Sequence, residues 1–168
     1  VISRLVDIWM AFPPVLFAIL LIAVLGTGLS SIVIAIVVID WTRFCRVVRA
    51  EAMNQSKMDY IASAVVAGQS RAGILWREIG PNVLPTIVAL LTLEMGIAVI
   101  VEAILSFVNL SISTDAPTWG GMIAEGRQII YQAWWVLVFP LVSLFLTVLA
   151  FNPLGDGLRH WLDPMLKR

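Results

Sequence analysis

The chain has 168 residues, 60% of them hydrophobic and only 13% charged. Its mean hydropathy of +0.95 is far above what a water-soluble core of this size needs, so it reads as an integral membrane protein. Eleven Lys and Arg balance eleven Asp and Glu, and no arginine-rich or aromatic-basic tract appears, which argues against a nucleic-acid partner.

The chain opens on Val1, and "VISRLVDIWM" has neither the basic stretch nor the cleavage site of a signal peptide. An upstream portion is therefore expected. Residues 8–26, "IWMAFPPVLFAILLIAVLG", give 19 positions without charge, enough to cross a hydrocarbon layer of about 30 Å, with Pro13 and Pro14 bending the start. Residues 29–41, "LSSIVIAIVVIDW", are shorter, and as a span they must continue into "TRFCRVV", giving 29–45. Within it, Asp40 next to Trp41 and Arg43 reads as an interfacial ion pair. Cys45 is the single cysteine; it cannot form an internal disulfide and is expected to be chemically idle.

The stretch 56–81 interrupts the oil. Ser56 followed three residues later by Asp59 has capping-box spacing, so a helix is expected from there through Ala67, stopped by Gly68. Ser70 caps a second short helix, which Pro81 ends. Met58, Ile61 and Val65 share one face of the first, Leu75 and Ile79 one face of the second. Two readings remain open: the pair lies on the lipid surface, or it packs into a protein cleft. The scarcity of lysine and the run of Ala62, Ser63, Ala64, Ala67 and Gly68 suit the cleft.

Residues 83–108 form a long apolar helix containing Glu94 and Glu102. An ionised carboxylate is costly in lipid, so both should face protein or water. Eight residues apart, they sit about 80° and roughly 12 Å from each other on the helix. They either line one aqueous pathway or bond to neighbouring helices. In the stretch 114–135, "TDAPTWGGMIAEGRQIIYQAWW", Trp119, Tyr131, Trp134 and Trp135 suit an aromatic belt, while Asp115, Glu125 and Arg127 are candidates for contact with an external partner. Residues 133–151 form an uncharged final span. His160 has no second His, Cys or carboxylate cluster at ligand spacing, so no metal is expected.

Four crossings put Arg4, Arg43, Arg46, Arg49, Lys57, Arg71, Arg77, Arg159, Lys167 and Arg168 on one side and only Arg127 on the other. The positive-inside rule makes the first side cytoplasmic, with the 42–82 loop and the C-terminus.

The loop resembles the cytoplasmic "EAA" loop of type I ABC importer permeases. It keeps Ala64, Gly68 and Pro81 at the expected spacing and departs at Ala62, Ser63, Glu78 and Gly80. "DYIASAVVAG", "REIGPN", "VEAILSFVNLSI", "PTWGGMIAEGR" and "FNPLGDGLRHWLDPMLKR" are similar, in order, to the C-type permease subunit of dipeptide, oligopeptide and nickel importers. Asn109 and Ser111 stand where that family usually has glycines, and Glu102 matches one of its acidic positions.

The resemblance implies an all-α, polytopic membrane bundle of the type I ABC importer permease (MetI-like) fold, one domain over 1–168, in the bacterial inner membrane. It also implies a second permease subunit, an extracytoplasmic solute-binding protein, and ATPase subunits that hold the ATP and Mg. This chain binds neither and is not an enzyme. Docking of the ATPase falls to Tyr60, Ile61, Ala64, Val65 and Gly68, with Asp59 as cap and Pro81 as junction to the next span. The substrate that the resemblance implies is a di- or oligopeptide, with nickel or another small solute as the alternative. An ion-coupled transporter using Glu94 and Glu102 as a relay is the rival reading. No P-loop, HExxH or Ser/His/Asp pattern supports an intramembrane enzyme.

Overall fold

The computed structural model describes residues 2–110 and 116–162, and among them every regular element is helical. In chain order these are α1 (Ile2–Trp9), α2 (Pro14–Leu25), α3 (Leu29–Gln55), α4 (Asp59–Val66), α5 (Arg71–Gly73), a π-helical stretch (Ile74–Ile79), α6 (Gly80–Phe107), α7 (Trp119–Gln128) and α8 (Trp135–Leu162).

The expected first span, 8–26, is broken. Pro13 and Pro14 each lack an amide donor, and a proline forces its predecessor out of helical geometry. α1 and α2 therefore meet at 83°, with Pro14 at the start of α2. The twelve residues of α2 rise about 18 Å, which is short of a crossing on their own. Gly26, at φ +86°, turns the chain into α3.

The helix expected at 29–45 runs ten residues further, to Gln55. Its first half packs on α2: Ala18 and Ile22 meet Ile32 and Ala35, with Leu105 of α6 closing the cluster. Alanines on both helices let the backbones approach. Its second half carries Asp40, Arg43, Arg46, Arg49 and Glu51, and α1 lies against it. Trp9 Nε1 donates to the Val38 carbonyl at 2.9 Å, Arg46 pairs with Asp7 at 2.6 Å, and Arg49 donates to the Ser3 hydroxyl.

Pro81 does not end a helix, contrary to expectation. Helix continues from Arg71 to Phe107 as one 37-residue rod. The π-helical turns just before Pro81 carry the Gly80 amide to the Leu75 carbonyl, five residues back. That wider turn relieves the contact a proline ring makes with the carbonyl four residues before it.

The expected span 133–151 likewise begins and ends elsewhere: α8 starts at Trp135 and runs through Pro153 to Leu162. Glycines set its packing. A Cβ on Gly155 would lie 2.1 Å from Thr92 Oγ1 of α6. One on Gly126 of α7 would lie 2.7 Å from the Leu137 backbone nitrogen of α8, and one on Gly120 only 2.1 Å from the Ala103 carbonyl of α6. Such approaches exclude any side chain.

Among the described residues two helices are long and apolar enough to cross a membrane, Arg71–Phe107 and Trp135–Leu162, or three if the bent pair at the start is one span. The fourth expected crossing, α3, has the length, but charges occupy its second half. Large apolar side chains such as Val24, Phe139, Phe145 and Leu146 are exposed, as lipid-facing residues are.

Candidate functional site

The region singled out from the sequence, 56–81, folds as a hairpin of α4 against the start of the long rod. Its entry is not the expected capping box. Ser56 Oγ donates back to the Met53 carbonyl at 2.8 Å, which finishes α3 rather than starting α4. Met58 occupies the N-cap position without a side-chain bond, and Asp59 sits in the first turn. Its carboxylate faces the positive end of the helix dipole there. It is not the cap.

The exit is as expected. Gly68 adopts φ +78°, its amide bonds to the Val65 carbonyl at 3.0 Å, and the Gln69 amide reaches the Ala64 carbonyl at 3.1 Å. This is a Schellman motif with glycine at the left-handed position. Ser70 then caps the next helix, its hydroxyl accepting from the Gly73 amide at 3.1 Å.

The apolar faces differ from those expected. Ile61 and Ala64, each 7% exposed, pack against Ile74, Ile79 and Val83, with Val48, Ala52 and Ile87 around them. Met58 and Val65 of the expected α4 face are exposed, and so is Leu75. The π-helical stretch explains the last case. Its wider turn puts residues five apart on one side, so Ile74 rather than Leu75 joins Ile79.

Two of the assigned docking residues, Ile61 and Ala64, are thus turned into this chain. They fasten α4 to the rod. The apolar groups left on the outside include Met58, Val65 and Leu75, and most fully Val66 at 88% exposure and Trp76 at 77%. Val66 and Trp76 were missed from the sequence. The signal was present, two adjacent valines and a tryptophan among charges, but only the fold shows which of them face outward.

Tyr60 works as a tie. Its hydroxyl donates to Gln55 Oε1 at 2.7 Å, at the end of α3. Asn82 Nδ2, at the start of α6, donates to the Tyr60 oxygen at 3.4 Å and to the Glu78 carbonyl at 2.7 Å. Partial desolvation raises the phenol's pKa above its ordinary 10, the bond from Asn82 lowers it, and Glu78 and Glu51 raise it. The hydroxyl stays protonated near neutrality, able to donate and accept.

The two carboxylates of the long helix are held separately. Glu94 is 6% exposed, and Arg43 Nη1 of α3 reaches its two oxygens at 2.7 and 2.9 Å. Arg43 was expected to pair with Asp40; Glu94 takes it instead. The buried carboxylate is the group that most needs a counter-ion. Glu102 is half-buried and accepts from the Ser106 hydroxyl one turn on, so each carboxylate has its own partner.

At the other end of α6, the Asn109 amide bonds to the Ser106 carbonyl at 3.0 Å and that of Leu110 to the Leu105 carbonyl at 2.8 Å. Asn109 sits at φ +60°. Asparagine thus fills the left-handed position that the resembling family gives to glycine. Arg127 lies over the Phe107 ring at 6.0 Å, a cation–π contact. Glu125, Tyr131, Trp134 and Trp135 are exposed. Asp115 and Ser111 lie outside the described residues, as do Lys167 and Arg168.

All of the chain, residues 1–168, matches the family described as binding-protein-dependent transport system inner membrane component. It is 40% identical, over 99% of its length and 56% of the relative's, to the glutathione transport system permease protein GsiD of Pectobacterium atrosepticum. It is 41% identical to the GsiD protein of Shigella dysenteriae and 42% identical to that of Escherichia coli O157:H7, in both cases over 99% of this chain and 55% of the relative. The chain therefore spans little more than half the length of these relatives. With its described residues folded into helices and a family match over its whole length, the chain belongs to the binding-protein-dependent transport system inner membrane component family.

Proposed function

We propose that this chain forms part of the pathway of an ATP-driven importer of short peptides, moved by an ATPase subunit that grips the 56–81 hairpin from the cytoplasm. The observation that carries this is the hairpin itself. Its inner face is spent on Ile61, Ala64, Ile74, Ile79 and Val83, while Val65, Val66 and Trp76 stand outside with no lipid-spanning length behind α4. An exposed apolar patch on a rigid polar element suits a protein groove.

The mechanics follow from continuity. The second arm of the hairpin is the start of the 37-residue rod Arg71–Phe107, and α4 is packed onto it through Ile61 and Ala64, so force on α4 reaches the membrane span through that packing. Closure of two ATPases on ATP draws the hairpins together and biases the bundle between inward-open and outward-open packings. ATP and Mg reside in those subunits. A second permease subunit completes the pathway, and an extracytoplasmic binding protein delivers the solute. Ten of the eleven cationic residues lie on the hairpin side of a four-crossing arrangement, which supports placing that side inside. For the substrate, support comes from relatives named as glutathione permeases, glutathione being itself a tripeptide.

The test is Val66→Arg and Trp76→Arg in the assembled transporter. Both variants should insert in the membrane yet lose co-purifying ATPase and nucleotide-driven uptake. Normal assembly in both would overturn the docking assignment. Uptake that persists without nucleotide, driven by an ion gradient, would favour a Glu94 and Glu102 relay instead.

A further inference from the structure

Beside the α1–α3 contact lies a cleft of about 310 Å³, lined by Val6, Arg46, Arg49, Ala50 and Met53. Val6 is 3% exposed and Met53 50%, so the floor is apolar and open on one side. The rim is cationic. Arg46 is matched by Asp7, but Arg49 is held by the neutral hydroxyl of Ser3, and Arg4 stands exposed on the same short helix. Among the lining groups two guanidiniums, Arg46 and Arg49, stand against the one carboxylate of Asp7, which leaves the rim positive, with fork-shaped donors suited to phosphate oxygens.

We infer that this cleft seats the headgroup phosphate of an anionic phospholipid of the cytoplasmic leaflet, with its acyl chain along Val6 and Met53. Two observations select a lipid. The cleft joins a basic rim to an apolar floor, which matches an amphiphile rather than a soluble anion. Leu5 and Ile8 of α1 are exposed at 52% and 66%, so apolar surface continues past the rim. Such a lipid would brace α1 on α3 where the chain bends by 83°. The inference rests on the inward orientation proposed above.

The test uses the whole transporter, ATPases included, in nanodiscs of phosphatidylcholine with increasing phosphatidylglycerol. Wild type should show a rise in Tm with phosphatidylglycerol. Arg49→Gln should need roughly fivefold more of it for the same rise, while Arg49→Lys stays close to wild type and both keep their Tm in neutral lipid. An identical response in Arg49→Gln would overturn the site. So would the same Tm rise from inorganic phosphate in neutral nanodiscs, which would assign the cleft to a free anion. Labelling of Met58→Cys in a Cys45→Ser background by an impermeant reagent reports orientation separately. Reaction from the cytoplasmic side with no lipid effect condemns the lipid site alone; reaction from the opposite side condemns the orientation.

Discussion

Arg43 and Glu94 stand 51 positions apart in sequence, and no spacing rule joins them. Each was noticed separately, and the sequence suggested Asp40 as the partner because Asp40 is near. Burial decided otherwise, since an uncompensated carboxylate inside the bundle is far costlier than one at its edge. Arg43→Gln should therefore lower stability in detergent by an amount near the low end of the roughly 3–5 kcal/mol measured for broken buried pairs. Glu94→Gln added to it should recover most of the loss, and thermal unfolding of the single and double variants checks this. Asn109 makes a different prediction. At φ +60°, Asn109→Gly should be neutral or mildly stabilising, whereas Asn109→Val should cost about 1–2 kcal/mol of left-handed strain, read from the same melts. Gly68 and Ser70 were legible because their effects are local. A left-handed stop and a serine cap each act within a turn of their own position.

At the scale of elements, the π-helical stretch is what the sequence did not reveal. Periodicity at 3.6 residues put Leu75 with Ile79, and Pro81 read as a stop. A wider turn changes both outcomes at once, moving Ile74 inward and letting the helix run through the proline. The hairpin is fastened by Ile61 and Ala64 against Ile74, Ile79 and Val83, with Val65 left outside. Ile61→Ala should loosen α4 by about 2–4 kcal/mol, seen as faster amide exchange across Asp59–Val66 and earlier proteolytic cutting near Gly68. Val65→Ala should change neither, since exposed side chains away from special features shift stability by only about 0.5 kcal/mol or less. Impaired uptake with unchanged exchange in Val65→Ala would be the signature of an outward, docking role.

For the molecule as a whole, three glycines set how closely α6, α7 and α8 approach. Gly155→Val should push α8 from Thr92, and Gly120→Val should push α7 from the Ala103 carbonyl, because an added Cβ would fall 2.1 Å from an existing atom in each case. Both variants should insert but be recovered in low yield as monodisperse protein, by size-exclusion chromatography. Gly157→Val, where nothing lies within 4 Å, should behave as wild type. The order of apolar segments and the charge asymmetry were readable without coordinates. The lengths of the helices were not, and α3, the long rod and α8 each outrun the expected span, because apolar runs mark where lipid lies while hydrogen bonding carries helix beyond it.

Composition alone determined that this chain lives in a bilayer. Its motifs determined its family, and a few glycine and serine positions determined where turns fall. These are properties of single residues or short windows, in which local sterics and hydrogen bonds dominate. Only the tertiary structure decided which face of α4 is glued inward, which cation answers Glu94, and that the second arm of the hairpin and the membrane rod are one continuous helix. Those outcomes depend on which distant groups compete for burial and for charge, and that competition is settled by packing rather than by spacing.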